Sequence, residues 1–494
     1  MPGERKNPRR GRVEGKPDAP AEFKAGDAKG PEFDAAEIAE ELGLYWVDGS
    51  GDKLLVKNAD VYATWNERKV IKLMRAMPGR MIAVRPREGE CVSETDQVML
   101  HVMQKRSVEL ALPALAGHRA GVYEMSGGKV VVKTSPRVVE PVEGSWETVR
   151  ELIEGRLGDQ SRYFHSWMQV AYESLHSGDA GNYRPGHALI FAGRAGSAKS
   201  RLQHQVVTGM LGCRSADPGA YMFGRADFNS EMVSAEHLLM EDPVSSTLTK
   251  DRVFFGEMVK GIVANDTHRL HKKKEDAITG SPFWRLTISV NDDPDKMRVL
   301  PLLTPDTRDK LMIFRVKSAP LPLPTDTLTE RAAFREAIAS ELPAYAWHLL
   351  NEFEIPEDIR STRFGVDAWQ EPSLVGALFE DTPSAELLAL IDAAVFESPT
   401  MVALKLWELP EEMSMPGSVK GKIWKGTAIN FEKLLLGEFG EVTCSVSREA
   451  KKLFAHNKCD RLLGRLAEDA VDRVGKHRTK RGRGWMIARP PAGE

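Results

Sequence analysis

The chain has 494 residues, of which 42% are hydrophobic and 28% charged, and its formal net charge is −3. Such a length predicts about three domains of ordinary globular composition. The near-neutral charge argues against a surface that binds nucleic acid throughout. No run approaches the ~18 apolar residues of a membrane span, and the first residues lack the apolar core of a secretion signal. These features predict a cytoplasmic protein without a membrane partner.

The cysteines indicate neither a metal site nor a cross-link. They are Cys91, Cys213, Cys444 and Cys459. No two of them are spaced as a C-x-x-C pair, and no histidine pair is spaced to complete a zinc site. We therefore expect no zinc and no disulfide.

The first part of the chain predicts a tail, a small module and a helical segment. Residues 1–35 are rich in Pro, Gly, Lys and Arg with few apolar side chains, which predicts a disordered basic tail, either solvated or weakly attracted to nucleic acid. Residues 36–145 mix helical and β-rich patterns, with a hairpin turn at Ser126–Gly128, and predict a small α+β module. Residues 146–184 predict a helical, collar-like segment before the next domain.

A glycine-rich turn follows the apolar run from Ala188 to Ala192, ends in Lys-Ser and leads into a helical pattern. This order is typical of a phosphate-binding loop, although an ordinary loop is the alternative. Backbone N–H groups can cradle phosphate oxygens, the lysine adds a positive charge and the serine hydroxyl can ligate Mg²⁺. Ala198 replaces the last glycine of G-x-x-x-x-G-K-[ST], so the backbone there must avoid a positive φ or tolerate strain. The predicted nucleotide-binding residues are Gly193, Arg194, Ala195, Gly196, Ser197, Ala198, Lys199 and Ser200.

Polar residues adjoin three apolar strands downstream. One strand ends in Glu241 and Asp242, where one carboxylate can hold Mg²⁺ and the other can orient or deprotonate an attacking water. The next ends in Asn291, suited to position that water. Arg308 precedes a further strand and is either an arginine finger or a solvated charge. The predicted catalytic residues are Lys199, Glu241, Asp242, Asn291 and Arg308, with Ser200 and Asp242 as the Mg²⁺ ligands.

In order and spacing, these motifs resemble those of the superfamily 3 helicases, most closely the phage and plasmid primase-helicase branch. The resemblance covers residues 185–320, and Ala198 departs from the family's usual glycine. It implies an α/β P-loop NTPase core of AAA+-like type that uses ATP and Mg²⁺. The expected protein is a DNA helicase of a mobile element that acts in replication in a bacterial cell as a hexameric ring, with a separate primase or host replication proteins as partners. Residues 36–145 lack the acid pair of a primase site, so only the helicase half is expected.

The resemblance also implies a basic hairpin that grips single-stranded DNA, between the second and third catalytic strands. A solvated loop is the alternative explanation for this basic segment. The candidate contacts are Lys260, Arg269, His271, Lys272, Lys273 and Lys274.

The last part of the chain predicts two further regions. Residues 321–379 are expected to form a helical lid and connector. Residues 380–494 predict a winged-helix domain, with helices at 384–396, 427–436 and 447–470 followed by a basic hairpin. On double-stranded DNA such a hairpin would meet phosphates, whereas a protein-docking wing or a solvated hairpin is the alternative. The candidate contacts are Arg478, Lys480, Arg481 and Arg483.

Two classes of function therefore stay open. The first is an ATP-driven DNA helicase of a phage, plasmid or other mobile element, in which Arg308 of each subunit completes the site of its neighbour. The second is a P-loop ATPase that remodels proteins as a switch or defence effector without unwinding. The basic run 271–274 favours the first, and DNA-stimulated hydrolysis would discriminate between them.

Overall fold

The structure is a computed structural model. It describes residues 33–48, 53–78, 80–177, 183–227, 229–243, 248–270, 278–379, 383–396, 407–408, 422–438, 443–470, 473–479 and 482–488. Nearly all of the predicted basic tail lies outside these residues. Within them, no helix has the length and apolar character needed to cross a bilayer. The chain forms two compact units, the first from residues 1–57 and 64–107 and the second from residues 58–63 and 108–494.

The first unit combines three helices with short strands. The elements of this part of the chain are, in order, α1 (Ala35–Glu41), β1 (Tyr45–Val47), β2 (Lys53–Asn58), β3 (Val61–Asn66), α2 (Glu67–Arg75), α3 (Glu94–Lys105) and β4 (Ser107–Val108). Residues 58, 61–63 and 108 of these strands are assigned to the second unit. Strand β1 pairs antiparallel with β2. The side chains of Asp34, Asn66 and Ser93 accept backbone N–H groups at the helix starts. The apolar faces of the three helices pack into one core.

The predicted N-terminal module, residues 36–145, extends beyond this unit. Strands β5 (Leu110–Leu112), β6 (Gly121–Met125) and β7 (Gly128–Val132) belong to the second unit and form a three-stranded sheet. The predicted hairpin turn is confirmed, since β6 pairs antiparallel with β7. Leu112 and Val130 share a core with the large sheet described next. Strand patterning alone could not show which core these strands join.

The middle of the second unit alternates helices and strands. It begins with α4 (Glu147–Leu157), α5 (Ser161–His176), β8 (Ala188–Ala192), α6 (Lys199–Arg201), a π-helical turn (Leu202–Val207), α7 (Thr208–Met210), β9 (Ser215–Ala216), α8 (Gly219–Met222), α9 (Ser230–Val233) and β10 (His237–Glu241). It continues with α10 (Thr249–Ala264), β11 (His268–Leu270), β12 (Ile278–Gly280), β13 (Arg285–Val290), α11 (Pro294–Met297), α12 (Pro305–Arg308), β14 (Leu311–Arg315), α13 (Leu328–Asn351), β15 (Arg360–Ser361), β16 (Gly365–Val366) and α14 (Pro372–Phe379). The segment 146–184, predicted to be helical, contains α4 and α5, and the predicted apolar strands are present as β8, β10, β13 and β14.

Five parallel strands form the central sheet, in the order β14-β8-β13-β10-β9. Successive side chains of β8 enter opposite cores: Ile190 packs with β13 and α10, and Phe191 packs with α4, α5 and α13. Burial on both faces explains why these strands are continuous apolar runs. Glu241, Ser289 and Phe191 lie in one row across the sheet. The carboxyl ends of β10, β13 and β8 therefore meet at one edge.

The end of the chain has a core of its own. Its elements are α15 (Pro383–Ile391), a π-helical turn (Asp392–Phe396), β17 (Trp407–Glu408), β18 (Lys422–Gly426), α16 (Ala428–Leu435), α17 (Cys444–His456), α18 (Cys459–Asp469), β19 (Val474–Thr479) and β20 (Gly482–Ala488). The strands form a sheet in the order β17-β18-β20-β19, and Trp485 and Ile487 pack with the helices. The prediction of one helix over 447–470 is wrong: Asn457 and Lys458 are extended, which lets α18 turn and bury Cys459 and Leu462.

Candidate nucleotide-binding site

The loop between β8 and α6 turns at the carboxyl edge of the sheet. Gly193 donates its N–H to the Val290 carbonyl at 3.2 Å, and a Cβ at this position would lie 2.5 Å from the Val316 carbonyl oxygen. Only glycine therefore fits this close approach. Ala198 has φ of 68° and ψ of 22°, so it takes the strained alternative that the sequence left open. The left-handed backbone conformation costs an L-alanine roughly 1–2 kcal/mol of free energy relative to the right-handed helical conformation.

Lys199 reaches back across this loop. Its Nζ donates to the carbonyls of Gly193 at 2.6 Å and Arg194 at 3.0 Å, and to Asn291 Oδ1 at 3.3 Å. Burial lowers the pKa of Lys199, and the charges of Asp242 and Asp292 oppose that shift. The direct partners of the ammonium are thus neutral oxygens, which an anionic ligand can replace.

Ser200 and Glu241 connect the loop with strand β10. The Ser200 hydroxyl donates to Glu241 and lowers the pKa of that carboxyl; partial burial raises it, and His204 lowers it further. The Nε2 of His204 lies 3.3 Å from Glu241 Oε2. Glu241 therefore stays ionised beside a serine hydroxyl, an arrangement that suits a hard cation such as Mg²⁺.

Asp242 follows Glu241 in an unusual backbone conformation, with φ of 41°, and its N–H donates to the Ser289 carbonyl at 2.9 Å. Of the non-glycine residues in the described part of the chain, four have a positive φ, and Ala198 and Asp242 are two of them. Such strain concentrates at functional sites, where the surrounding structure holds it.

Three residues at the site were not anticipated from the sequence: Arg315, Asp292 and Gln160. Arg315 ends β14 in register with Ala192 of β8, and its Nη1 donates to Asp292 Oδ2 at 3.0 Å. Gln160 holds the Arg315 backbone, accepting from its N–H and donating to its carbonyl, both at 3.0 Å. The Nε of Arg315 is buried and has no hydrogen-bond partner among the described residues. The sequence offered one weak signal, a charged pair at the ends of two buried strands.

The loop fits a phosphate-bearing ligand. The Ser197 Oγ is buried and has no partner among the described residues, so a polar group is left for a ligand. Nothing lies within 4 Å of a Cβ built on Gly196, which leaves open space at the turn. Lys199 would hold the nucleotide phosphates, Ser200 and Asp242 would hold Mg²⁺, and Glu241 lies beside them, where an attacking water would bind.

The structure brings together Lys199, Ser200, Glu241, Asp242 and Asn291, but it does not bring Arg308 to them. Arg308 ends α12 and precedes the amino end of β14, whereas the loop adjoins the carboxyl end of β14. Four residue steps along the strand separate the two edges by roughly 13 Å. The Nε of Arg308 donates to Gln370 Oε1 at 3.1 Å. Arg308 therefore lies away from the loop of its own chain.

The candidate DNA contacts fall in three parts of the chain, some of them outside the described residues. Lys260 donates to Glu257 at 2.7 Å and to Asp306 at 2.6 Å, so its charge is neutralised. Arg269 is exposed on β11, which pairs antiparallel with β12, and His271, Lys272, Lys273 and Lys274 lie between these strands, outside the described residues. Arg478 and Arg483 are directly opposite each other in the β19–β20 hairpin. Lys480 and Arg481 also lie outside the described residues.

Comparisons with known proteins bear on the fold. No protein-family model matches the chain, and no curated protein sequence matches it. The apo structure of the NrS-1 C-terminal region is similar, with a TM-score of 0.51, 11% identity, and coverage of 93% of this chain and 99% of that one. Its A form has a TM-score of 0.50 at 12% identity, covering 92% and 98%. SCCmec type IV Cch, described as an active helicase, has a TM-score of 0.27 at 11% identity, covering 87% and 75%, which is too low to support an argument. The chain thus has a mixed α/β fold, built on a parallel sheet, that is similar to the NrS-1 C-terminal region.

Proposed function

We propose that the protein is an ATP-dependent DNA helicase of a phage, plasmid or other mobile element. The observation that carries this proposal is the convergence of Lys199, Ser200, Glu241 and Asn291 at the carboxyl edge of one parallel sheet. In open α/β sheets, ligands bind outside the carboxyl ends of the strands. A lysine, a hydroxyl, a carboxylate and an amide at this edge are the groups that phosphoryl transfer uses.

Each residue of the site has a proposed role in ATP hydrolysis. Lys199 would neutralise charge on the phosphates after leaving the carbonyls of Gly193 and Arg194. Glu241, kept ionised by Ser200 and His204, would orient or deprotonate the attacking water, and Asn291 would position it. Bound ATP and Mg²⁺ supply the transferable phosphoryl group and the positive charge that stabilises it.

DNA is the favoured partner because of the β11–β12 hairpin. These strands lie in the chain between β10 and β13, which carry Glu241 and Asn291. The basic run His271 to Lys274 lies in the sequence between the two paired strands. The residues proposed to bind single-stranded DNA are therefore close in sequence to those proposed to hydrolyse ATP. A protein-remodelling ATPase does not require this run, which is why unwinding is the better proposal.

The position of Arg308 favours a ring. Because Arg308 lies away from its own loop, an arginine finger at this position would act on a neighbouring subunit. We infer a closed, hexameric homo-oligomer acting in DNA replication in the bacterial cytoplasm, with a separate primase or host replication proteins as partners. The C-terminal helices and the β19–β20 hairpin would form a winged helix that recruits the ring to double-stranded DNA.

The test is hydrolysis of ATP with and without single-stranded DNA, together with strand displacement on a forked substrate. We expect DNA to stimulate hydrolysis and ATP to drive unwinding. Changing Lys272, Lys273 and Lys274 to Gln should abolish unwinding while basal hydrolysis persists.

The matched control changes three exposed arginines that already have acidic partners. They are Arg150, Arg162 and Arg360, paired with Glu147, Asp358 and Glu357 at 2.5, 2.9 and 3.0 Å. This paired-charge control, with each arginine changed to Gln, removes the same charge and should unwind normally. ATP hydrolysis that DNA does not stimulate, with no unwinding, would support the protein-remodelling alternative.

A further inference from the structure

Helix α2 of the first unit has one buried face and one basic face. Asn66 caps it by accepting the Lys69 N–H at 3.0 Å, and Val70 and Met74 are fully buried in the core of the unit. This packing orients the helix, so the opposite face points to solvent. The exposed basic side chains, named here the α2 stripe, are Arg68, Lys69, Lys72 and Arg75.

Among the residues that the structure describes, the stripe has no acidic partner. Glu67 is the acid of α2, and the positions three and four residues after it are Val70 and Ile71, so no intrahelical pair forms. No ion pair joins the stripe to another described residue. Other arginines of the same unit differ: Arg80 and Arg87 each lie 2.6 Å from a glutamate, and Arg106 pairs with Glu40. Among the described residues, the positive charge of α2 therefore has no acidic partner, whereas three arginines of the same unit, Arg80, Arg87 and Arg106, are each paired with a glutamate.

The geometry of the stripe fits a regular anionic surface. Arg68, Lys72 and Arg75 are spaced at i, i+4 and i+7, which places them in one row about 10 Å long on a helix of 1.5 Å rise per residue. Double-stranded DNA presents one negative charge per about 1.7 Å of axis. A rigid row of this length faces several phosphates at once.

The same face lacks the features of a single-strand platform. Sequence-tolerant binding of single strands relies on exposed aromatic side chains on which bases stack. None of the exposed residues of α2 is aromatic, and Trp65, just before the helix, packs against the core. We propose that the α2 stripe binds the phosphate backbone of double-stranded DNA, without reading its sequence. The proposal extends the proposed helicase function and does not require ATP hydrolysis.

The experiment measures equilibrium binding of the full-length protein to a short blunt duplex, without nucleotide, over a range of salt concentrations. Each lost phosphate contact flattens the log–log salt slope by about 0.9 on duplex DNA. Changing Arg68, Lys72 and Arg75 to Gln should flatten the slope by up to about 2.7. The paired-charge control lowers the net charge equally and should keep the wild-type slope.

Three further measurements test the conclusion: a single variant, binding to single-stranded DNA and binding to anionic vesicles. Lys72→Gln alone exposes no new apolar surface and should flatten the slope by about 0.9, so the result does not depend on the folding of the triple variant. Wild-type slopes for the stripe variants would overturn the proposal. So would a loss confined to single-stranded DNA, or a loss of binding to phosphatidylserine vesicles with duplex binding unchanged. Duplex binding is measured without nucleotide, so a protein that fails to unwind DNA can still show the expected salt slopes. Conversely, wild-type salt slopes in the stripe variants would overturn this proposal without contradicting the proposed helicase activity.

Discussion

Arg315 and Asp292 form an ion pair of 3.0 Å at the carboxyl edge of the central sheet, beside the Lys199 ammonium. Strand β14 brings the arginine to the edge, and the residue after Asn291 brings the carboxylate. Since the Arg315 Nε has no partner among the described residues, this guanidinium has a donor left for a ligand. The pair is thus a part of the site that ATP would contact in the same subunit.

We expect Arg315→Ala to weaken ATP binding by about 10- to 100-fold, the worth of a hydrogen bond to a charged group. Arg315→Lys should recover part of the loss because it restores the charge but not the planar fork. Fluorescent-nucleotide titration measures the affinity. Gln160→Ala removes the two hydrogen bonds to the Arg315 backbone. It should weaken ATP binding less than Arg315→Ala does, because the guanidinium itself remains. Unchanged affinity in the alanine variant would remove Arg315 from the site.

Lys199→Ala should lower ATP hydrolysis by roughly 10²- to 10³-fold, as the loss of one preorganised charged donor does. Glu241→Gln should reduce hydrolysis comparably but keep ATP binding, because it removes the ionised carboxylate and leaves the loop intact. Steady-state phosphate release and nucleotide titration separate the two effects. A folded Lys199→Ala protein with normal turnover would rule out the phosphate-binding loop.

Arg308→Ala should bind ATP and fail to hydrolyse it if, as proposed, the missing charge acts in the site of a neighbouring subunit. Mixing this variant with Lys199→Ala protein should restore part of the activity, since some interfaces then hold both intact halves. Hydrolysis as a function of mixing ratio measures the effect. A protein that stays monomeric with ATP and DNA, and shows no restoration, would contradict a ring.

The β19–β20 hairpin supplies a second test of duplex binding. Changing Arg478, Lys480, Arg481 and Arg483 to Ala should flatten the salt slope on duplex DNA by up to about 3.6 while basal hydrolysis is spared. The effect should add to that of the α2 stripe, because the two surfaces share no residues. A wild-type slope would make protein docking the better account of the hairpin.

The protein should lose stability in mild acid. Burial lowers the pKa of His165, His187 and His237 to about 3, and His237 is held between the hydroxyls of Thr208 and Thr287, both at 2.7 Å. In the unfolded chain these groups titrate near pH 6.5. Below that pH the unfolded state binds protons that the folded state does not, so the free energy of unfolding falls as pH decreases from about 6.5 towards 3.

Each of these histidines should contribute a loss of about 2 kcal/mol between pH 7 and pH 5. Urea denaturation at the two pH values measures the total. His237→Gln preserves side-chain hydrogen bonding but removes one titrating group. The free energy of unfolding of this variant should therefore fall by about 2 kcal/mol less than that of the wild type between pH 7 and pH 5. If the variant and the wild type lose the same stability, His237 is not the neutral buried group described above.

The sequence by itself determined the local parts of this protein. Strands β8, β10, β13 and β14, helices α4 and α5 and the turn before β7 follow from apolar periodicity and turn residues, which act over a few positions. The loop ending in Lys199 and the acids after β10 were predicted for the same reason. The break between α17 and α18 was missed because the apolar residues keep a helical spacing across it. The chain turns there because the turn lets Cys459 and Leu462 pack into the core.

Only the tertiary structure decided which distant groups meet. The parallel pairing of β14 with β8 places Arg315 beside the loop at the carboxyl ends of the strands. Arg308, only seven positions earlier in the sequence, lies at the amino end of β14. The hold of Gln160 on Arg315 and the contact of His204 with Glu241 likewise depend on packing. In the sequence the α2 stripe resembles other basic runs, and only the structure shows that Arg80 and Arg106 are paired while the stripe has no acidic partner among the described residues. Strand order, register and charge pairing are properties of the assembled chain, and no local pattern encodes them.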